Sequence, residues 1–261
     1  MPTTYAHSSF GEKVLKNVDG NVKDIINKNI ELFNIGLHGP DILFYFKPLS
    51  SNHVNKIGHE LHSKTVDLFL LRAKKIINDS QNKDATFSYI AGFISHFMLD
   101  SYCHPFVRQI ELKNISHSTI EAELDRFLMI KNNLQPLTFK PTNHIVTKVE
   151  FANCISMFYD GVSSEEILSA LKSMKIYLNL LVAPGKLKRN LITNTLKLFH
   201  HENMIDLMMS LEPSNESADY SKELINLYEA AIIPTTEIIN EYYQNLNENI
   251  ELNNRFNRNF G

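Results

Sequence analysis

The 261-residue chain contains no tryptophan, only nine glycines and only two cysteines, Cys103 and Cys154. So few glycines argue against a glycine-rich phosphate-binding loop and against a β fold with many tight turns. Two cysteines do not make a disulfide scaffold, and reduced thiols in the cytosol are the simplest expectation. The net charge of -3 gives no indication of a nucleic-acid or membrane-surface partner. No protein partner is inferred.

Long apolar runs are also missing. No stretch approaches about 18 consecutive apolar residues, so no transmembrane helix is predicted. The N-terminal sequence MPTTYAHSSFGEK has no basic segment followed by an apolar run, and therefore no signal peptide is predicted. A cytoplasmic location is the resulting expectation. The alternating pattern of β-strands is missing too, since the β-rich ILFYF at 42–46 is short and has no partner.

The pattern that remains is helical periodicity, which predicts an all-α fold: a single multi-helix domain over residues 1–261, built around a buried central helix that carries metal ligands. Ligand candidates fall in residues 1–125, and the helices of 146–261 are expected to be packing helices. A turn is predicted at GLHGPD, residues 36–41. The predicted helices are 22–34, 53–78, 84–103, 117–131, 146–158, 163–181, 186–201, 202–210 and 220–249, the last kinked near Pro234.

The helix predicted from residue 84 is apolar on nearly every side, which is typical of a central, buried helix. Asp84 is its predicted N-cap, and Pro105 is expected to end it at or just before His104. Three polar side chains nevertheless stand four residues apart in it: His96, Asp100 and His104. Burying such groups without partners would cost several kcal/mol each, roughly, and a bound metal ion removes that cost.

Positions i, i+4 and i+8 of an α-helix form one stripe about 12 Å long, which is too long for a single ion. His96 with Asp100 suits one metal, and His104 with His117 and Glu121 of the next helix suits another. Imidazole and carboxylate ligands without thiolate favour zinc over iron or manganese. Three protein ligands with an open position would indicate a catalytic site rather than a structural one.

Each of these pairs also has an ordinary structural interpretation. A single buried histidine or aspartate is more often a hydrogen-bonded core residue than a metal ligand. Glu121 could instead complete a capping box, Ser118-x-x-Glu121, at the start of its helix. Five ligand-type residues within 26 positions are hard to explain separately, and we therefore interpret them as a metal site.

Four strings in this order, GPDILFYFKPL, GHELH, HFMLDSYCHP and ISHSTIEAELDR, resemble the zinc-dependent phospholipase C family. That family shares a fold with the single-strand-specific zinc nucleases. The recognisable motifs run from the first residues to about Leu128, and only helical character continues beyond. The resemblance implies a cluster of three zinc ions as cofactors, of which two to three are expected here.

The resemblance also implies which side chains hold each ion. The first zinc takes a loop aspartate, a histidine of the following helix and the central pair: Asp41, His62, His96 and Asp100. His59 is the alternative to His62, which is preferred because it follows Gly58 after three residues. The second zinc takes His104, His117 and Glu121. The third takes His7, a shared Asp100, and the N-terminal amine and carbonyl, which would belong to Pro2 if Met1 is removed.

The resemblance implies hydrolysis of a phosphodiester, and with a phospholipid the products are diacylglycerol and a phosphorylated headgroup. Asp41 is the candidate catalytic residue that orients or deprotonates the attacking water, with His38 as its candidate supporting partner. The aromatic residues after it are candidates for an apolar mouth, with Tyr45 chosen as a substrate-binding residue. The alternative interpretation is that Phe44, Tyr45 and Phe46 are ordinary core aromatics.

Three functions of different kinds remain open at this point. The first is a phospholipase C-like hydrolase. The second is a nuclease-like or small-molecule phosphodiesterase on the same cluster, and the third is a non-catalytic metal-binding helical protein. The weak net charge and the lack of a basic, aromatic-interleaved stripe count against polymeric nucleic acid. A phospholipid or another phosphodiester is therefore the expected substrate.

Overall fold

The computed structural model describes residues 4–214, 216–248 and 250–261. Within these ranges the fold is all-α, as predicted, and contains no strand. The α-helices are α1 Thr4–Asn17, α2 Gly20–Lys28, α3 Ile30–Gly36, α4 His53–Ser63, α5 Asp67–Asp79, α6 Lys83–Glu111, α7 His117–Lys131, α8 Val149–Ser156, α9 Ser164–Leu181, α10 Lys186–Leu198 and α11 Ser217–Gln244. Short 3₁₀ segments cover Gly39–Tyr45, Glu202–Leu207 and Asn254–Phe256. None of the helices in these ranges has the length and hydropathy needed to cross a bilayer.

Helix α6 is the centre of the fold. Every residue from 85 to 101 is buried, because the helix is surrounded by α1, α2, α3, α5, α7, α8 and α11. This confirms the prediction, made from its all-round apolar sequence, that the helix is central and buried. Two of the candidate metal ligands, His96 and Asp100, therefore lie in the buried part of α6.

Both predicted ends of α6 were wrong. Asn82, not Asp84, is the N-cap, and its side chain accepts a hydrogen bond from the Ala85 backbone N–H at 3.2 Å. The helix also continues through Pro105 to Glu111. An internal proline costs about 3 kcal/mol in a helix. Burial of Val107 and Ile110 in the main core offsets that cost, so tertiary packing outweighs the local rule.

Other boundaries also differ from the periodicity. The predicted helix over 53–78 is two helices, α4 and α5, and in the break between them the Val66 N–H donates to the Arg258 carbonyl. The predicted helix over 22–34 is likewise divided at Asn29, and 202–210 is only a short 3₁₀ segment. Helix α1 was not predicted at all. Residues 42–45 of the ILFYF run lie in the 3₁₀ segment Gly39–Tyr45, and Phe46 is its C-cap.

Helices α3 and α6 touch through glycines. A Cβ atom on Gly92 would lie 2.1 Å from the Phe33 carbonyl oxygen, and one on Gly36 would lie 2.2 Å from that of Tyr89. Such distances are impossible for a real side chain, so the two backbones approach closely only because both positions are glycine. This contact brings the segment that follows α3, including Asp41, down onto the middle of α6.

The region after residue 146 was expected to consist of packing helices. Helix α9 fits that expectation, with Ile167, Leu171 and Met174 in the main core. Helix α10 departs from it, because Ile192 is its only buried residue.

Candidate metal centre

Five elements bring the eight predicted ligands to one place. Helix α1 carries His7, the 3₁₀ segment carries Asp41, and α4 carries His62. The others lie on α6 and α7: His96, Asp100, His104, His117 and Glu121. Seven of these side chains line one cleft of about 630 Å³, and the eighth, His96, is 1% exposed and contacts Asp100.

Asp100 lies at the centre of the cluster. Its Oδ1 is 3.2 Å from His7 Nε2 and 3.6 Å from His104 Nε2, and its Oδ2 is 3.1 Å from His96 Nε2. The ring of His7 also stacks on that of His96, with centroids 4.3 Å apart. One carboxylate therefore faces three imidazoles that come from both α1 and α6.

Two further groups of candidate ligands flank Asp100, and the first consists of Asp41, His62 and His96. Asp41 Oδ1 lies 3.0 Å from His62 Nε2. The competing His59 stacks instead on Phe44, with ring centroids 4.6 Å apart. The geometry thus favours His62 over His59 as the ligand candidate of α4.

The second group joins His104 to His117 and Glu121. Glu121 Oε1 lies 3.1 Å from His117 Nε2 and 3.5 Å from His104 Nε2. Asp100 and His104, four residues apart, share one face of a continuous helix because α6 does not end at His104. The alternative of a Ser118 capping box was wrong: Ser116 is the N-cap, and its Oγ accepts from the Thr119 N–H at 3.3 Å.

In three groups, ligand atoms lie within 4.8 Å of one another, as a shared ion requires. The groups are His7, His96 and Asp100; Asp41, His62 and His96; and His104, His117 and Glu121. The N-terminal amine and carbonyl predicted for the third zinc lie outside the described residues.

Three histidines are oriented by backbone carbonyls. The Nδ1 of His62 lies 2.8 Å from the Gly58 oxygen, that of His96 3.2 Å from the Leu37 oxygen, and that of His104 2.9 Å from the Phe260 oxygen. A carbonyl only accepts, so each Nδ1 carries the hydrogen and donates it. Each Nε2 is thereby directed at the cluster, which is how metal-binding histidines are commonly held.

Two buried atoms in the cluster test whether a metal fits. His96 Nε2 and His7 Nδ1 are inaccessible to solvent and make no hydrogen bond within the described part of the chain, although His96 Nε2 lies 3.1 Å from Asp100 Oδ2. A buried nitrogen without a hydrogen bond costs free energy, which a coordinated cation would offset. Nitrogen and oxygen donors without thiolate are also the ligand types of catalytic zinc sites. The residues present therefore fit zinc.

The carboxylates are held ionised by the imidazoles. Burial alone would raise the pKa of Asp100, but His96, His104 and His7 outweigh it and hold that pKa well below its usual range. Burial of Asp41 is likewise outweighed by the hydrogen bond from His62 and the charge of His96, which lower the Asp41 pKa. Burial would lower the pKa of His104, yet the charge of Asp100 and a hydrogen bond to Glu121 raise it to about 9.

Two supporting residues, Asp125 and Gly39, were not predicted from the sequence. Asp125 of α7 accepts hydrogen bonds from the N–H groups of Tyr5 and Ala6, at 3.2 and 2.8 Å, and so caps the start of α1 beside His7. Gly39 has a φ of +48°, and a Cβ there would lie 2.3 Å from the His96 ring. Gly39 therefore allows the Asp41 segment to lie against His96.

The aromatic side chains near Asp41 divide into two kinds. Phe44 lines the cleft, whereas Tyr45 is 8% exposed and belongs to the main core. The choice of Tyr45 as the substrate-binding residue is thus not supported by its position. The side chain of His38 does not support Asp41 directly either: its Nε2 lies 2.8 Å from that of His144, with which it stacks.

The last residues of the chain complete the cleft. Asn259, Phe260 and Gly261 line it together with Arg108, whose guanidinium donates to the Gly261 carbonyl. The Phe260 ring packs on that of His62, with centroids 4.7 Å apart.

The sequence model of one protein family, described as zinc dependent phospholipase C, matches residues 6–169. The chain belongs to the zinc-dependent phospholipase C family. The match covers well over half of the chain and includes all eight ligand candidates, while α10 and α11 lie outside it. No curated protein and no solved structure matches the chain. Family membership supports a zinc-dependent, phospholipase C-like role for the cleft.

Proposed function

We propose that this protein is a zinc-dependent phosphodiester hydrolase that cleaves a phospholipid into diacylglycerol and a phosphorylated headgroup. The observation that carries the proposal is the arrangement around Asp100, where the three ligand groups meet beside an open cleft. Structural zinc sites are closed, whereas catalytic sites keep a position open for water or substrate. An accessible cleft beside the ligands supports the second kind.

Two to three zinc ions would be held by the groups described above. His62, His96 and Asp41 would hold one ion, with Asp100 shared between neighbours. His104, His117 and Glu121 would hold another, and His7 with Asp100 would contribute to the third. When bound, zinc supplies Lewis acidity to the phosphate and lowers the pKa of water toward about 7.

Asp41 is the proposed catalytic residue of the chain itself. Its carboxylate lines the cleft and stays ionised, because the hydrogen bond from His62 lowers its pKa even though burial opposes this. An ionised carboxylate at this place accepts a hydrogen bond from the attacking water and so orients it toward phosphorus. The His62 contact at 3.0 Å fixes the orientation of that carboxylate.

The walls of the cleft suit a phosphodiester that carries an apolar group. Phe44, which is half-buried, provides aromatic surface, and Arg108 is the only Lys or Arg among the described residues that line the cleft. One arginine can pair with one phosphate. A polynucleotide strand would need a longer cationic track. The lining therefore favours phospholipid over nucleic acid.

Zinc analysis with parallel assays tests the proposal. The purified protein is expected to hold at least two zinc ions per chain and to hydrolyse phosphatidylcholine faster than single-stranded DNA. His96→Ala is expected to lose both zinc and activity. The matched control is His53→Ala, which alters a histidine paired with Glu166 at 3.1 Å and not part of the cleft lining.

Three outcomes would contradict the proposal. A content of less than one zinc ion per chain would show that the proposed zinc cluster does not form. Full zinc occupancy with faster cleavage of DNA would favour the nuclease-like alternative, and full occupancy without any hydrolysis would favour a non-catalytic metal-binding protein.

A further inference from the structure

The segment from residue 167 to residue 201 differs in charge from the rest of the chain. It contains six lysine or arginine residues and no aspartate or glutamate, although the chain as a whole has a net charge of -3. The basic residues are Lys172, Lys175, Lys186, Lys188, Arg189 and Lys197. Whole-chain charge hides this local positive region, which attracts anionic surfaces.

Helix α10, within this segment, exposes an apolar stripe. Leu187, Leu191 and Leu198 are 90%, 70% and 74% exposed. At 100° per residue, these three side chains fall within about 40° of one another around the helix axis. We call them the leucine stripe. Three largely exposed leucines in one line are unusual on a soluble surface and indicate an interaction site.

Lysines lie on both sides of the leucine stripe. By the same geometry, Lys186 and Lys197 are displaced by about 80–100° to one side of it and Lys188 by about 100° to the other. All three are exposed. Long lysine stems can extend along an apolar surface while their ammonium groups remain in the polar layer.

The opposite face of α10 fixes its orientation. Ile192 is buried there, and the Arg189 guanidinium donates to the Met209 and Ala183 carbonyls at 2.6 and 3.3 Å. These contacts attach the helix to the protein body and leave the leucine stripe facing solvent. The same segment exposes further apolar side chains: Ile176, Leu180 and Phe199.

We propose that α10 is a docking surface for a membrane that carries anionic lipids. An apolar stripe flanked by lysines is the pattern of a helix that lies in the membrane interface, and the absence of acidic residues over 35 positions makes the surface complementary to anionic headgroups. The inference rests on the proposed function, because docking would hold the catalytic cleft at a membrane that contains its phospholipid substrate.

Vesicle co-sedimentation of the full chain tests the proposal. The probes are vesicles of phosphatidylcholine alone and of phosphatidylcholine mixed with phosphatidylglycerol. The wild type is expected to bind the mixed vesicles, and Leu187→Ser/Leu191→Ser/Leu198→Ser to bind them about tenfold more weakly or worse. Lys186→Glu/Lys188→Glu/Lys197→Glu should weaken binding to a similar extent, and more so at low salt.

A matched control removes two leucines elsewhere. Leu68 and Leu112 are 70% and 85% exposed but lie on α5 and at the end of α6. Leu68→Ser/Leu112→Ser is expected to bind vesicles like the wild type. Hydrolysis of a soluble, short-chain phosphodiester should be the same in every variant, because none of these residues lines the cleft.

Vesicle binding and hydrolysis are measured separately, so failure of one proposal can be told from failure of the other. Binding that depends on the leucine stripe, in a protein without hydrolytic activity, would support docking and contradict the proposed reaction. Equal binding by the leucine variant and its control would overturn the docking proposal. Failure of the wild type to bind the mixed vesicles would also overturn it, in favour of an acidic protein partner.

Discussion

His104 donates a hydrogen bond from Nδ1 to the carbonyl oxygen of Phe260, across 2.9 Å and 156 positions of sequence. This contact fixes the orientation of the His104 ring and directs its Nε2 at Asp100 and Glu121. Gly261 follows directly, with a φ of +102°, and a Cβ there would lie 2.7 Å from His104 Cβ. The end of the described chain therefore supports a predicted metal ligand through its backbone.

We predict that Gly261→Ala weakens zinc binding about 10-fold or more, the effect typical of losing a group that orients a ligand. The substituted residue must leave the positive φ and push away from His104, which displaces the Phe260 carbonyl. Zinc retention against a competing chelator measures this. Gly185→Ala is the matched control, because nothing lies within 4 Å of a Cβ at that position; equal retention by both variants would refute the prediction.

Asp125 gives a second prediction about an orienting residue. Asp125→Ala removes the acceptor of two N–H groups at the start of α1, and loss of such a cap costs about 1–2 kcal/mol. The free energy of unfolding should fall by that amount, and the zinc content should fall because His7 is no longer held beside Asp100. Denaturant unfolding and elemental analysis measure the two effects.

The control for this variant is Asp19→Ala. Asp19 is the N-cap residue of α2, but its side chain makes no capping hydrogen bond. Asp19→Ala should change neither the free energy of unfolding nor the zinc content. A loss of stability without any loss of zinc in Asp125→Ala would show that α1 does not contribute to metal binding.

The metal-free protein should lose stability as the pH rises. Burial opposes the charge on His104, but Asp100 and Glu121 raise its pKa from 6.5 to about 9. A raised pKa contributes stability that is fully present below pH 6.5 and is lost as the pH passes through about 9. The melting temperature of chelator-treated protein should fall across this window, and that of zinc-loaded protein should fall less, because zinc replaces the proton as the positive charge.

Zinc affinity should rise over the same pH range, because the proton on His104 competes with the metal. A melting temperature that is independent of pH between 6.5 and 9 without metal would contradict the charge balance described for the cluster.

The sequence predicted the central features of the fold for a clear physical reason. An apolar helix with three polar residues four apart can only be buried with those residues on one face, and α6 has this arrangement around His96, Asp100 and His104. Local rules failed where tertiary contacts outweigh them. Pro105 would end an isolated helix, but here burial of the following turns carries the helix on to Glu111.

Other parts of the site have no local signal in the sequence. Asp125 caps a helix that begins about 120 residues earlier. No residue pattern indicates that the Phe260 carbonyl lies beside His104. The choice between His59 and His62 also depended on which ring faces Asp41, which only the fold determines. Periodicity likewise does not show which of two adjacent aromatic residues faces a cleft, so the sequence alone does not distinguish Phe44 from Tyr45.

The central claim is that Asp100 binds zinc at the place where the three groups of ligand candidates meet. The most direct test is zinc anomalous scattering from crystals of the wild type and of Asp100→Asn. The wild type is predicted to show at least two zinc peaks at about 2.0–2.2 Å from the ligand atoms named above, with an Asp100 oxygen bound to at least one. In Asp100→Asn the peaks beside His7 and His96 should weaken or disappear. Wild-type crystals without zinc in the cleft, or with zinc that does not contact Asp100, would contradict the claim.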